Sequence, residues 1–490
     1  MVHLSPMFDW LAHQAQVSPR KLALVFGKQQ WTFAELDDGA ARMCAQLTAA
    51  GVTAGQHVAL LLPNGPEFVL AIHALARLGA VAVPLNLRLT PAELRWQVTH
   101  ADCAALLHVD DTAPVAAELA VRRINLQALP PSPEAGQWRR RPLNLDAVQG
   151  IIFTSGTSGQ PKGALLTFAN HFYSATDSAF RLGVLPGDRW LACMPLYHVG
   201  GQAIVLRSCL YGTAMVLHPR FEAAAVAESL RAAAVTLISV VPTMLHRLLE
   251  HHLDSLRAPH LRCILVGGAA LSPQLARTCI ELGLPLAATY GLTEAASQVA
   301  TAAPDEAQRK PGSVGRPLLF AAVRVVDAVG NPLPAGEIGE ITVSGPTVMA
   351  GYYRQPEATA QTLRHGELFT GDLGYLDADG DLWVVQRRSD LIVSGGENVY
   401  PAEVEAVLRE HPAVADAAVV GLPDAEWGQR VVAAVVPAAG VQLSPPELID
   451  FCRARLAGYK IPREVRWVEA LPQTASGKIK RDEVKQLFVV

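Results

Sequence analysis

The sequence predicts an α/β protein: a mostly parallel, helix-covered sheet in a large N-terminal domain, followed by a small α+β domain. Three observations carry that expectation. Short β-branched runs alternate with segments of helical apolar spacing through most of the chain. Half of the 490 residues are apolar and 18% are charged, which allows a large core and argues against disorder. Near Asp390 the texture changes to a compact α+β pattern of about 100 residues, a domain's worth. The expected division is therefore 1–389 and 390–490.

The elements follow in order. HVALLLP (57–63) is a buried-strand run, EFVLAIHALARLGA (67–80) has helical spacing with a glycine near its end, and AVAVPLN (80–86) is a second strand. This β–α–β rhythm argues parallel strands. It recurs at AALLHV (104–109), LISVVP (237–242) and CILVGG (263–268), the last followed by a helix from Ser272. LPPSPEAGQWRRRPL (129–143) reads as a surface connection. From about Ile338 short strands and turns take over, in EITVSG and GDLGYLDADGDLWVV. DADGD (377–381) resembles part of a calcium loop, but the ligand spacing and closing glutamate are missing, so a plain hairpin turn is expected. Beyond RRSDLIVSGGENVYP come a helix (PAEVEAVLREHPAV), two strands (ADAAVVGLPD, VVAAVVP), a helix (PPELIDFCRARL) and a strand (VRWVEALP).

Composition excludes several classes. The formal net charge is -4 and no block of like charge occurs, so no nucleic acid partner is expected. The seven cysteines form no C-x-x-C pair and are mostly apolar-flanked, as reduced core thiols of a cytoplasmic protein would be. The opening MVHLSPMFDWLAHQAQ lacks the pattern of a signal peptide. No apolar run reaches the roughly 18 residues of a membrane span. VTLISVVPTML (235–245) is short, broken by Pro242, and reads as buried strand. A homo-oligomer stays open.

The stretch TSGTSGQPKG (154–163) has three glycines, four hydroxyls and Lys162 in ten residues. Such a loop can wrap a phosphate with backbone N–H groups and with Thr154, Ser155, Thr157 and Ser158. It is not the nucleotide-hydrolase P-loop: Gly163 stands where the metal-binding hydroxyl belongs. YGLTEAA (290–296) sets Thr293 beside Glu294, a pair suited to a phosphate oxygen and its Mg²⁺, although Thr293 could equally cap a helix. TGDLGYL (370–376) offers Asp372 just before a strand pattern, where a carboxylate suits ribose hydroxyls. RRSDLIVSGGENVYP (387–401) and QTASGKIKR (473–481) complete the set.

In this order and at these separations the segments resemble the acyl-adenylate-forming superfamily, which includes acyl-CoA synthetases, luciferases and stand-alone adenylation domains. The resemblance covers essentially the whole chain. It implies a large N-terminal domain of helix-covered mixed sheets plus a distorted β-barrel, with a small mobile α+β C-terminal lid domain. It implies ATP, Mg²⁺ and coenzyme A as reactants or cofactors. A carboxylate attacks the α-phosphate, pyrophosphate leaves, and in the CoA ligases the lid then turns and the thiol displaces AMP. By the same resemblance Thr154, Ser155, Thr157 and Lys162 hold the β- and γ-phosphates. Thr293 touches the α-phosphate and Glu294 binds Mg²⁺. Gly267, Gly268 and Ala269 flank the adenine and Tyr290 stacks on it. Asp372 and Arg388 hold the ribose, Asp390 is the hinge, Gly395 and Gly396 line the pantetheine tunnel, and Lys478 bridges carboxylate and phosphate. A cation there would offset the repulsion between two anions.

The acid pocket is expected around PLYHVGGQAIVLRSCLYG (195–212). His198, beside Tyr197 and the flexible pair Gly200-Gly201, would gate or position the carboxylate, or pack at a helix start. Arg207 lies in an apolar helical run, where burial is costly without a partner; it would snorkel to solvent or meet an anion. Ser297, Ser208 and Gln298 are weaker candidates for substrate hydrogen bonds. WLACMPLYHVGGQAIVLRSCLYG, ISVVPTMLHRLLE, TYGLTEAASQVAT and RRSDLIVSGGENVYPAEVE are most similar to the 2-succinylbenzoate–CoA ligases of menaquinone biosynthesis, whose substrate is a dicarboxylate. The alternative is a ligase for another aromatic or medium-chain acid. A non-catalytic nucleotide binder would be expected to lack Lys478 or Glu294, and both are present.

Overall fold

The computed structural model describes residues 7–131, 142–154, 161–269, 271, 273–386, 391–438, 444–472 and 479–489. It divides into two compact units: Met1–Leu87 with Val98–Ile152 and Gly163–Val385, and Arg88–Gln97 with Phe153–Lys162 and Gln386–Val490. The smaller unit thus includes two short segments from the first part of the chain. The sequence boundary at 389/390 falls outside the described residues.

A nine-stranded sheet dominates the larger unit. Its middle strands, Leu286–Leu292, Cys263–Val266, Leu237–Val240, Arg189–Ala192, Ala214–Leu217 and Leu22–Phe26, are all parallel. Antiparallel strands close both edges: Ser297–Ala302 with Arg316–Pro317 at one, Gln29–Thr32 at the other. Successive residues point to opposite faces. Leu237, Cys263 and Leu265 enter one apolar cluster, and Ile238, Ile264 and Val266 enter another with residues of the Ala223–Ala232, Pro242–Leu256 and Pro273–Glu281 helices. Both faces are therefore covered. Each fully buried Leu or Ile contributes about 1.5–3 kcal/mol.

A second, six-stranded sheet carries the expected β–α–β unit: His57–Leu61, the Pro66–Leu78 helix, and Val81–Pro84 in parallel pairing. Pro66 starts that helix and Gly79, at φ +78°, ends it. At the far edge of this sheet lie Val148–Thr154 and Lys162–Thr167. The part given by resemblance as a distorted barrel is a five-stranded antiparallel sheet that includes Gly339–Ser344 and Glu367–Leu376. The smaller unit has its own five-stranded sheet, led by the long Val414–Asp424 and Gly428–Pro437 pair.

Several local expectations are corrected. The 235–245 run is not all strand: Leu237–Val240 ends and Pro242 begins a helix. Proline suits that first helical position because the N–H it lacks would be unpaired there. Asp372 lies within a strand, not before it. Thr293 caps no α-helix; it opens a single 3-10 turn, Thr293–Ala295, that follows a strand running through Leu292. DADGD is a hairpin turn, with Gly380 N donating to Asp377 O at 2.9 Å. Its three carboxylates, Asp377, Asp379 and Asp381, converge on Lys310 Nζ at 2.7, 2.7 and 2.6 Å. An ammonium, raised in pKa first by Asp377, supplies the positive charge there. All seven cysteines are free thiols and six are buried, as expected. Among the described residues no helix is long and apolar enough to cross a membrane.

Candidate active site

The carboxyl ends of parallel strands are where open α/β sheets place ligands. Here the strands ending at Ala192, Val240 and Val266 lie side by side with Leu286–Leu292. Beyond these ends follow Pro195–His198, Pro242 and the Gly267-Gly268 pair, and Tyr290 lies near the end of its own strand. The glycines are required by geometry. A Cβ on Gly267 would lie 2.6 Å from Thr289 Cγ2, and Gly268 sits at φ +76°. Ala269 follows, partly buried.

Tyr290 and Asp372, 82 residues apart, are brought together. The tyrosine hydroxyl donates to Asp372 Oδ2 at 2.7 Å. Thr370 Oγ1 accepts from the Asp372 N–H at 3.1 Å. The stacking implied for Tyr290 meets a ring that is only 2% exposed. Its hydroxyl bonds the Asp372 carboxylate.

Glu294 is held twice from one segment. Met349 N donates to its carbonyl at 2.9 Å, and the Tyr352 hydroxyl donates to its Oε1 at 2.8 Å. Tyr352 was not among the expected residues; its only sequence signal is the GYY triplet at 351–353. The turn after Glu294 is unusual for non-glycine residues, with Ala296 at φ +51° and Ser297 at φ +104°. A Cβ on Gly291 would lie 1.6 Å from Ser297 O, so the turn folds back tightly on the strand. Ser174 Oγ donates to the Ala296 carbonyl at 2.7 Å.

Arg207 is buried and does not snorkel; it is 3% exposed. It rides on the Val199–Tyr211 helix and faces the Phe168–Leu182 helix. Its Nη2 donates to Ser174 Oγ at 3.2 Å and its guanidinium lies 5.7 Å over Trp190. Its Nε has no hydrogen-bond partner among the described residues. The same holds for His171 Nε2, Asp177 Oδ2, Gln202 Nε2 and Oε1, Ser208 Oγ and Gln298 Oε1. Buried polar atoms are nearly always partnered, by protein or by ordered water. Burial lowers the Arg207 pKa and, with Arg207 itself, the His171 pKa to about 4. Burial pushes the Asp177 carboxyl up to about 6.

His198 is the residue before the first turn of the Val199–Tyr211 helix, with Tyr197 4.7 Å away ring to ring. Arg207 lies about 13 Å further along the helix axis, at 1.5 Å per residue. The glycine after this start is set by close approach: a Cβ on Gly201 would lie 2.3 Å from Pro195 O.

Thr154 ends one strand and Lys162 begins the next, on either side of the glycine-rich stretch, with Thr154 Oγ1 donating to Lys162 O at 3.4 Å. The loop therefore joins strand to strand, without the following helix of a P-loop. Ser155 and Thr157 lie outside the described residues, as do Arg388, Asp390 and Lys478.

In the smaller unit Gly395 (φ +59°) and Gly396 (φ +81°) make the two-residue turn between Ile392–Ser394 and Glu397–Val399. Gly395 N donates to Trp427 O at 2.8 Å, and a Cβ there would lie 2.7 Å from the indole. Beside it opens a cavity of about 550 Å³ whose lining includes Arg88, Trp427, Arg453, Tyr459 and Arg463. Arg88 stacks over Tyr459 at 4.6 Å and Arg463 over Trp427 at 4.9 Å. Sequence reasoning missed this cationic, aromatic cavity, because Arg88 comes from a distant segment.

The chain belongs to the AMP-binding enzyme family: residues 11–353 match the AMP-binding enzyme domain and residues 403–478 its C-terminal domain. It is 42% identical over 484 residues to a 2-succinylbenzoate–CoA ligase of Bacillus cereus, covering 99% of each chain. Its fold is similar to that of a double mutant of o-succinylbenzoate CoA synthetase from Bacillus subtilis bound with its product analogue (TM-score 0.91, 39% identity, 98% of each chain). It is similar also to that synthetase in complex with ATP and magnesium ion (TM-score 0.72, 39% identity, 98% and 100% covered).

Proposed function

We propose that this chain is an ATP-dependent, AMP-forming acid–CoA ligase that acts on 2-succinylbenzoate in menaquinone biosynthesis. A carboxylate oxygen of the acid attacks the α-phosphorus of ATP and the bond to pyrophosphate breaks. The CoA thiolate then attacks the acyl carbon and AMP leaves. The similarity over the full chain supports the class. The observation that carries the substrate is Arg207, buried with its Nε unpartnered among the described residues. A second substrate carboxylate would satisfy its guanidinium and offset the cost of burial.

The residue roles follow the same reading. Thr154, Ser155, Thr157 and Lys162 hold the phosphates, and Gly267, Gly268 and Ala269 flank the adenine. Tyr290 sets the orientation of Asp372 for the ribose, with Arg388. Thr293 touches the α-phosphate, and Glu294 offers a hard oxygen ligand, the donor type Mg²⁺ prefers. When bound, that ion supplies positive charge against the phosphate oxygens. His198 and Ser297 position the reacting end of the acid, and Lys478 stabilises the developing charge. The division at 1–389 and 390–490, with a lid pivoting at Asp390, belongs to this proposal, as does a cytoplasmic location. Gly395 and Gly396 admit the thin pantetheine arm. The arginine-lined cavity with Trp427 and Tyr459 has the charge and aromatic faces for the nucleotide end of CoA.

The test is CoA-dependent AMP release with 2-succinylbenzoate, benzoate, 4-coumarate and octanoate. Succinylbenzoate should be strongly preferred. Arg207→Ala should cut kcat/KM for it by roughly 100-fold, the scale for stranding a buried charge. Equal or better turnover of a monocarboxylate would overturn the substrate.

A further inference from the structure

We infer that Tyr352 is a positioning residue for metal binding: its hydroxyl holds the Glu294 carboxylate in the orientation in which it would meet Mg²⁺. This rests on the proposed metal role of Glu294. Tyr352 is 7% exposed and its ring packs in the apolar cluster of Ile152, Ala164 and Val299. A buried tyrosine hydroxyl needs a hydrogen-bond partner, and here Glu294 Oε1 accepts from it at 2.8 Å. The tyrosine itself is firmly placed. Leu165 N donates to Gly351 O at 2.9 Å, Ala350 N to Leu165 O at 3.0 Å, and Tyr353 N to Gly163 O at 2.8 Å. Tyr352 N donates to Thr359 Oγ1 at 2.9 Å. The backbone of Glu294 is pinned by Met349, three residues away on the same segment.

The need for such a hold follows from the turn. Glu294 stands on a single 3-10 turn that leads into two left-handed residues, Ala296 and Ser297. A single 3-10 turn has poorer hydrogen-bond geometry than an α-helix and is used only in short pieces. A glutamate with free χ angles would lose rotamer entropy on meeting the metal; one already held does not. Partners of this kind set ligand orientation and typically change metal affinity by 10–100-fold when removed.

The experiment measures Mn²⁺·ATP binding by water-proton relaxation for the wild-type chain, Tyr352→Phe and Glu294→Gln. Metal-free ATP binding is titrated in EDTA, and melting is followed in parallel. Tyr352→Phe should weaken Mn²⁺·ATP roughly 10-fold, leave metal-free ATP binding and the melting midpoint near wild type, and leave KM for the acid unchanged. If Tyr352→Phe binds Mn²⁺·ATP normally while Glu294→Gln does not, the tyrosine inference is wrong and the glutamate role stands. If Glu294→Gln also binds normally, both fall.

Discussion

The Ser174 hydroxyl joins Arg207 to the turn that follows Glu294: it accepts from Arg207 Nη2 at 3.2 Å and donates to Ala296 O at 2.7 Å. A buried cation and a left-handed turn thus share one small side chain. Removing it leaves a buried carbonyl and another guanidinium donor unpaired. Ser174→Ala should cost about 2 kcal/mol of stability and raise KM for the acid more than KM for ATP. Denaturant melts and steady-state kinetics check both. Unchanged stability and an unchanged KM for the acid would show that the link is incidental.

Asp177 gives a pH dependence of unusual sign. Its carboxyl is raised from 3.8 to about 6, first by burial. Between those values the folded chain binds more protons than the unfolded one, so this group's contribution falls as pH rises through that window and is flat above it. At about 1.36 kcal/mol per unit the effect is at most about 3 kcal/mol. Asp177→Asn keeps the acceptor that receives the Phe320 N–H at 2.8 Å. It should be the more stable form at pH 7.5 and lose its advantage near pH 4. Parallel melting curves across that range would refute the assignment.

Lys460 is 3% exposed and bonds to Glu93 Oε1 at 2.6 Å and Glu403 Oε1 at 2.8 Å. Burial opposes its charge, but Glu403 and Glu93 more than compensate and raise its pKa, while burial raises that of Glu403. Lys460→Met strands the buried Glu403 carboxylate and takes a partner from the partly buried Glu93, and should cost about 3–5 kcal/mol. Adding Glu403→Gln should recover part of it. A loss under about 1 kcal/mol, the scale of an exposed pair, would contradict the buried geometry.

The pattern of legible and illegible features has a physical basis. The Pro66–Leu78 helix was readable because its spacing, first-turn proline and terminal glycine all agree. Tyr290-Gly291-Leu292 was not readable as strand, because its pairing with Ser297–Ala302 includes a register shift. Arg207 stood out as a charge in an apolar run. Its neighbours His171, Ser174, Asp177 and Ser178 did not, since polar residues on a helix ordinarily face water. Arg88–Gln97 looked like an ordinary part of the first domain, yet it belongs with the smaller unit.

By itself the sequence determined the class of fold, the order of the glycine-rich and acidic motifs along the chain, and Arg207 as an anomaly. Period and local turn chemistry act over a few residues, so they survive in the linear string. The tertiary structure decided the partners: Tyr352 for Glu294, Ser174 for Arg207 and Ala296, Tyr290 for Asp372, and Arg88 beside Tyr459. Those contacts join residues 33 to 371 positions apart. They follow from how sheets stack and helices cross, which no local period records.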